Sequence, residues 1–383
     1  MDKSELKIKV TKTISEIPFE DWSSVYPKAP ENYYFFKTID ESGFDQFKFF
    51  YIMVYDKEIP VAAAPSFVMR FDLDMTVKGL LRVFYKAVER VIPNIFTPKI
   101  LMIGIPMGQG RVGIAPGHDG VFEVLCGCFE KIARQERAAL INFKDFTNEY
   151  EGMLRPLLKR GFIKIESLPS TDMDISFSSF EEYLKSLGRV SRDGIKRKFK
   201  KTDSRVKFDL EITPSLDEAS LTQVHALYLQ TLERQDIGLE RLPLDFFRMI
   251  SKNMPGEIKY FLWRMNGKIV AFALCIISED QFIDYYLGFD YSVAHEYNLY
   301  FIRFRDLMNW CIEHGMKRYE MGPTTYEPKR RLGFRFIRLF FYMKHRNPII
   351  NPFLGFISYF MKPESFDPVF KEIKKQNKNS LIT

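Results

Sequence analysis

The chain has 383 residues, of which 46% are hydrophobic and 27% charged, proportions that exclude a largely disordered or collagen-like chain and suit two domains, each burying its own core. Lys and Arg (56) exceed Asp and Glu (49) for a formal charge of +7, which points to an anionic partner wherever that charge is clustered. No run reaches the roughly 18 apolar residues of a membrane span, and the opening MDKSELKIKV is too charged for a secretory leader, so a cytoplasmic protein is expected.

In chain order, Phe47 to Tyr55 and Ile59 to Met69 flank the polar tip Asp56-Lys57-Glu58 and predict an antiparallel hairpin, with Pro60 and Pro65 weakening its second strand or placing it at an edge. Lys99 to Pro106 predicts a strand and Gly108 to Gly120 a Gly-rich loop. A helix follows from Val121 to Arg137, where Phe122, Cys126, Phe129 and Ala133 recur at helical spacing. Ala139 to Phe143 is the next expected strand, Glu151 to Arg160 a helix ended by Gly161, and Phe162 to Ile165 a strand.

The second half repeats this order: strand Ile258 to Arg264, an Asn266-Gly267 turn suited to positive φ, strand Lys268 to Ile277, strand Gln281 to Phe289, a loop, helix Asn298 to His314, and strand Lys317 to Met321. Hairpin, strand, loop, helix, strand occurs twice, which a duplicated domain or two unrelated α/β domains would both give. Pro169 and the nearby serines mark the boundary, giving domains at 1–168 and 169–347 and an apolar segment with a polar tail at 348–383. Within that tail, 349–361 is apolar but too short to span a bilayer; it is expected to pack, with peripheral membrane contact as the alternative. Cys126, Cys128, Cys275 and Cys311 sit in apolar surroundings with no paired CxxC array, so reduced core thiols are expected, with neither disulfide framework nor metal site.

Several residues carry candidate chemistry. Ser179 to Glu182 has capping-box spacing; downstream, Arg189, Arg192, Lys196 and Lys200 fall along one side of a helix whose Ile195 and Phe199 point elsewhere, with Gly188 and Gly194 interrupting it. That stripe is either a solvated face or a surface for phosphates or RNA. The loop 289–298 leads into a helix N-terminus where backbone N–H groups bind anions, with Asn298 as N-cap and His295 as a general base or a structural histidine. Alternation places Asp284 and Tyr286 on one face of a strand and Tyr285 on the other; Glu320, ending a strand, would accept a proton or pair with Arg318 or Lys329. Gly322 to Phe334, with Tyr326 and Lys329, suits an active-site rim, whereas Gln109-Gly110-Arg111-Val112-Gly113 is a weak phosphate-loop match better explained by surface-turn glycine.

The run Arg160-Gly161-Phe162 to Leu168-Pro169-Ser170, Ser179-Phe180-Glu181-Glu182-Tyr183-Leu184-Lys185-Ser186-Leu187 with Arg192 and Ile195-Lys196-Arg197-Lys198, and Tyr326-Glu327-Pro328-Lys329 with Leu332-Gly333, resembles GNAT-superfamily N-acyltransferases related to the FemAB peptidoglycan transferases. The resemblance implies an α/β (α+β) fold of two tandem GNAT-like domains, each a mixed, largely antiparallel sheet flanked by helices, the first structural or acceptor-binding and the second catalytic. It further implies transfer of an acyl or aminoacyl group to an amine acceptor without a covalent intermediate. No cofactor would be held permanently, acyl-CoA or aminoacyl-tRNA serving as co-substrate. Arg192, Lys196, Lys200, Asn298 and Lys329 would meet donor phosphates, and Glu320, His295 or Tyr326 would serve catalysis. The loop after Phe289 lacks the Arg-x-x-Gly-x-Gly pattern of acetyl-CoA binders, which leaves tRNA in play. The alternative is a noncatalytic RNA-binding or membrane-surface adaptor using 189–201.

Overall fold

The computed structural model describes residues 6–71, 97–234, 240–358, 367 and 369–370. It divides into two compact units: residues 1–40, 44–167 and 338–368, and residues 41–43, 168–337 and 369–383. The second unit thus gives up its expected last residues. The cause is a strand, Phe340–His345, that hydrogen-bonds into the first unit's sheet, so this stretch of the second unit ends at Ile337 rather than at the expected domain boundary of 347.

The first unit contains Leu6–Thr11 (β1), helices Phe19–Val25 (α1) and Tyr33–Glu41 (α2), Lys48–Asp56 (β2), Ile59–Arg70 (β3), Lys99–Ile103 (β4), Gly113–Ile114 (β5), helix Val121–Gln135 (α3), Leu140–Phe146 (β6), short helices Glu151–Leu154 (α4) and Pro156–Lys159 (α5), and Ile163–Glu166 (β7). Pro156 splits the single helix expected over this last stretch, because it removes a backbone donor and clashes with the preceding turn. With Phe340–His345 (β15), the sheet order is β1-β2-β3-β4-β6-β15-β7, all antiparallel except β4 with β6. The two prolines do not put β3 at an edge. Pro60 lies beside the register shift at Val54/Tyr55, and Pro65 falls between the pairing to β5 at Ala62–Ala63 and the pairing to β4 that begins at Ser66, where a missing N–H costs no ladder bond.

The second unit contains Ser170–Asp174 (β8), helices Phe180–Ser186 (α6) and Arg189–Asp203 (α7), Asp209–Thr213 (β9), helices Glu218–Leu232 (α8) and Leu244–Asn253 (α9), Ile258–Met265 (β10), Lys268–Ser278 (β11), Gln281–Phe289 (β12), helix Leu299–Glu313 (α10), Arg318–Met321 (β13), helix Tyr326–Arg331 (α11) and Arg335–Ile337 (β14). Its order, β9-β10-β11-β12-β13-β8-β14 from one edge, matches the first sheet position for position, including the one parallel pair, β12 with β13, joined by a helix. The Asn266-Gly267 turn takes positive φ at both residues (52° and 79°), as its sequence predicts.

α7 runs unbroken through Gly194. Its Ile195 and Phe199 enter a core shared with Phe304, Leu307 and Cys311 of α10, and this tertiary packing outweighs the roughly 1 kcal/mol that a mid-helix glycine costs. All four cysteines are buried free thiols. Ile349, Ile350 and Phe353 are exposed around helix Asn351–Ser358 (α12), whereas 359–366, 368 and 371–383, including part of the expected 349–361 segment, lie outside the described residues. No described helix is long and apolar enough to cross a membrane.

Candidate active site

The parallel pair β12–β13 holds together only from Gln281↔Arg318 to Asp284↔Met321; β13 then ends at Met321 while β12 continues to Phe289, so the pairing stops there. A bulge in β12 sets the faces of its residues. Asp284 lies opposite Cys275 and Tyr286 opposite Leu274, so Tyr285 is an extra residue, and Asp284 and Tyr286 project from opposite faces rather than the shared face that simple alternation predicts. Tyr286 donates to Glu240 Oε1 at 2.7 Å and packs on Tyr228 and Phe246. Asp284 turns toward α10.

There it forms an ion pair with Arg303, both side chains fully buried, and the Tyr319 hydroxyl donates to the same carboxylate oxygen at 3.2 Å. Burial, followed by the charge of Asp284, pushes Tyr319 well above its ordinary range, so it remains a donor. Asp284 Oδ1, Arg303 Nε and Nη2 and the Tyr300 hydroxyl are buried without a hydrogen-bond partner among the described residues. Each such atom costs roughly 1–3 kcal/mol, a price that packing alone does not explain.

Lys329 joins this cluster from α11. Its ammonium donates to the carbonyls of Gly322 and, at 3.4 Å, Pro323, two acceptors for three hydrogens. Burial pulls it from its ordinary 10.5 down to about 7, with Asp284 and Glu320 opposing and Arg303 reinforcing the shift. Just before α11, Thr324 and Thr325 both take positive φ (74° and 54°), a strained pairing for β-branched residues in the turn between β13 and α11. Tyr326 anchors the helix: its buried hydroxyl donates to Pro169 O at 2.9 Å, and its ring meets Phe336.

Glu320 projects from the face opposite Tyr319 and Met321, accepting from Ser170 at 3.1 Å and from the Gln281 amide at 2.8 Å. Arg318, one expected ion-pair partner, instead binds Asp172 at 2.7 Å. His295 is exposed, its ring 6.0 Å from that of Tyr291.

Asn298 does not cap α10. It takes φ 50°, its N–H and that of Leu299 donate to His295 O and Ala294 O, and its side chain accepts from Lys198 at 3.3 Å and donates to Thr202 Oγ1 at 3.3 Å. The N–H groups of Asn298 and Leu299 are thus taken up within the turn, and the Asn298 side chain ties α7 to α10. Arg192 and Lys196 lie on the outer side of α7 against Asp193 (3.9 Å) and Glu181 (2.8 Å), and Lys200 is exposed. The Ser179 hydroxyl caps α6 by accepting from Glu182 N, but Glu182 returns to Ser178 instead of closing the reciprocal box.

In the first unit the space just past the end of the β4–β6 pairing is filled by backbone. Gly110 donates to Asp145 O just past the end of the β4–β6 pairing, and a Cβ on it would lie 2.1 Å from Lys144 O; one on Gly113 would lie 2.1 Å from Val25 O. Close backbone approach, not a surface turn, explains those glycines. Alternation, helical spacing and capping signals overlooked Arg303. Its signal was a charge set among the apolar positions of α10, between Tyr300 and Leu307.

Residues 189–330 match the acetyltransferase (GNAT) domain family, a span that contains Arg192, Lys196, Lys200, His295, Asn298, Glu320, Tyr326 and Lys329. Two strains of Mycobacterium tuberculosis carry a relative under the name 8-amino-7-oxononanoate synthase 2, 27% identical over 332 residues; the match takes in 82% of this chain but 42% of that protein, so the chain spans under half the relative's length. Among solved structures, FemX aligns at 13% identity over 92% of this chain and 100% of its own, with a TM-score of 0.57. A tandem GNAT protein from the clavulanic acid biosynthesis pathway aligns at 9% over 90% and 99% (TM-score 0.55), and L-PGS from Bacillus licheniformis at 12% over 87% and 97% (0.52). At these identities the structures speak for the fold, which they share along most of the chain. Residues 189–330 are thus similar to the acetyltransferase (GNAT) domain family, and the chain shares the fold of a tandem GNAT protein along most of its length.

Proposed function

We propose that the chain is an N-acyltransferase that moves an acyl or aminoacyl group from acyl-CoA or aminoacyl-tRNA to an amine. The observation that carries this reading is Lys329, an amine buried with Asp284 and Arg303 where the β12–β13 pairing ends, its proton affinity lowered by burial, within the residues that match the GNAT domain family. The lowered proton affinity brings the neutral amine within reach near physiological pH, the condition under which a group both accepts and returns a proton.

The acceptor's ammonium yields a proton to Lys329; the freed amine attacks the donor carbonyl, forming the C–N bond. As the C–S bond of a thioester or the C–O bond of an ester breaks, Lys329 returns that proton to the leaving atom while the second proton on the nitrogen passes to solvent, so the transfer releases one proton net. Glu320 raises Lys329 basicity from across the sheet and Tyr326 positions α11. No thiolate is called for: burial pushes Cys275 and Cys311 well above the ordinary thiol range. Arg192, Lys196 and Lys200, on the outer side of α7, supply long-range attraction for a phosphate-bearing donor. Cytoplasmic residence fits these donors.

The test supplies the full chain with an amine panel and, separately, acyl-CoA esters or aminoacyl-tRNA, reading CoA thiol or deacylated tRNA together with the amide product by mass spectrometry. We expect one donor class to be consumed and Lys329→Met to lower kcat by about 10²–10⁴-fold. Consumption of neither donor, or wild-type turnover by the variant, overturns the reading.

A further inference from the structure

Four neighbouring strands of the first sheet come together at one end. β3 finishes at Arg70 opposite Lys99, which opens β4; Ala139 N donates to Lys99 O at 2.8 Å just before β6; and His345, closing β15, pairs with Leu140. These are the N-terminal ends of the parallel strands β4 and β6, away from the backbone-filled space at Gly110. A pocket of ≈ 520 Å³ lies here, its lining including Arg70, Lys99, Arg137 and His345 and, among the described residues, no carboxylate.

These cations are only partly spent. Lys99 donates to Glu136 O at 3.1 Å, and the Glu136 carboxylate, 3.9 Å away, also pairs with Lys48. Arg70 and Arg137 are exposed, and neither guanidinium has a hydrogen-bond or carboxylate partner among the described residues. Asn347 N donates to His345 Nδ1 at 3.0 Å, which leaves Nε2 to carry the ring's hydrogen.

From His345 the chain turns directly into Ile349 and Phe353, 77% and 65% exposed, with Ile350 exposed between them. The fold holds them there. Asn347 Oδ1 accepts from Ile349 N at 2.9 Å, and Asn351 accepts from His345 N at 2.7 Å and donates to Gly161 O at 2.8 Å, fastening the turn to β15 and to the residues before β7. The backbone is already helical here, Asn351 N donating to Asn347 O at 3.0 Å, so Ile349 and Phe353, four residues apart, share a side. Side chains that protrude in this way offer no groove to a folded partner. They suit a fluid boundary that closes round them, and the cations beside them suit anionic headgroups.

We propose that this end of the first unit docks on an anionic phospholipid surface, with Ile349, Ile350 and Phe353 entering the boundary between headgroups and acyl chains and the pocket of Arg70, Arg137 and His345 receiving a headgroup phosphate. The inference needs no transfer chemistry: it gives the first unit a task of its own, holding the chain at a membrane.

The test is co-sedimentation of the intact chain with vesicles of phosphatidylglycerol and phosphatidylcholine in equal parts, and with vesicles of phosphatidylcholine alone, beside equilibrium dialysis against glycerol phosphate. We expect binding to the mixed vesicles and about tenfold weaker binding to phosphatidylcholine. Ile349→Ser/Phe353→Ser and Arg70→Gln/Arg137→Gln should each weaken binding to the mixed vesicles by about tenfold or more. All four side chains are exposed, so both variants should keep the wild-type thermal midpoint. Lys196→Gln/Lys200→Gln, on the basic side of α7, should bind the vesicles as wild type does. Full binding by either of the first two variants overturns the proposal, because it requires both insertion and headgroup capture. Loss of binding in the α7 variant, equal binding to the two kinds of vesicle, or no vesicle binding at all overturns it too. Sedimentation without vesicles would assign the apolar side to a second copy of the chain, and glycerol phosphate bound by a chain that ignores vesicles would assign the pocket to a soluble ligand; either result overturns the proposal.

Discussion

Arg303 and Asp284 pair in the core of the second unit with no solvent exposure on either side chain, yet each keeps polar atoms without a partner among the described residues. A buried pair is weak evidence for stability, because desolvating both charges offsets their attraction, but removing one member strands the other. Arg303→Met should therefore lower unfolding free energy by roughly 3–5 kcal/mol, whereas the double variant Arg303→Met/Asp284→Leu, which strands no charge, should recover much of that loss. Urea unfolding of the single and double variants measures it; equal loss in both would show that packing, not charge, holds the site.

In the first unit, the space just past the end of the β4–β6 pairing is taken by the protein's own backbone. Gly110→Ala would press a methyl to 2.1 Å from Lys144 O and 2.5 Å from the Phe146 ring, with no flexible side-chain end able to yield on the carbonyl side. We expect a loss of at least 1–3 kcal/mol, the usual cost of overpacking. Any variant protein recovered folded should bind coenzyme A as wild type does, since Gly110 serves packing. Thermal unfolding and a binding isotherm check the two halves; weaker binding without lost stability would return the loop to a ligand role.

The hairpins, the helix after each third strand and the repeated order were legible because they rest on local signals: Asn266-Gly267, the apolar spacing of 121–135 and 299–313, and the glycine stops. What escaped depends on distant partners. The Tyr285 bulge is a register choice between two strands and reverses the face of every residue beyond it. The placement of β15 in the first sheet is a long-range pairing with no local mark. Of the residues expected at the site, Lys329 joins the buried cluster and Glu320 acts on its charge, whereas the N–H groups at Asn298 are consumed by a turn that the composition of 289–298 does not foretell.

Glu320 offers a direct probe of that charge. Its carboxylate raises the Lys329 proton affinity, so Glu320→Gln should move the midpoint of the kcat/KM profile to lower pH while preserving the Ser170 and Gln281 contacts in near-isosteric form. A profile that keeps its midpoint but loses amplitude would instead place the proton on Glu320 itself.

Lys329 makes a separate prediction for stability. Unfolded, it titrates near 10.5; folded, near 7, so between these values the unfolded chain binds more protons and stability rises with pH across the window. Below pH 7 both states are protonated and the burial penalty is at its full value, with no further slope from this group. Lys329→Met abolishes the contribution: the variant should gain stability relative to wild type below pH 7, and the difference should shrink steadily as pH approaches 10. Chemical denaturation at pH 6, 8 and 9.5 reads the trend, and parallel pH dependence in the two proteins would mean that Lys329 titrates alike in the folded and unfolded chain, removing the neutral amine on which the transfer chemistry depends.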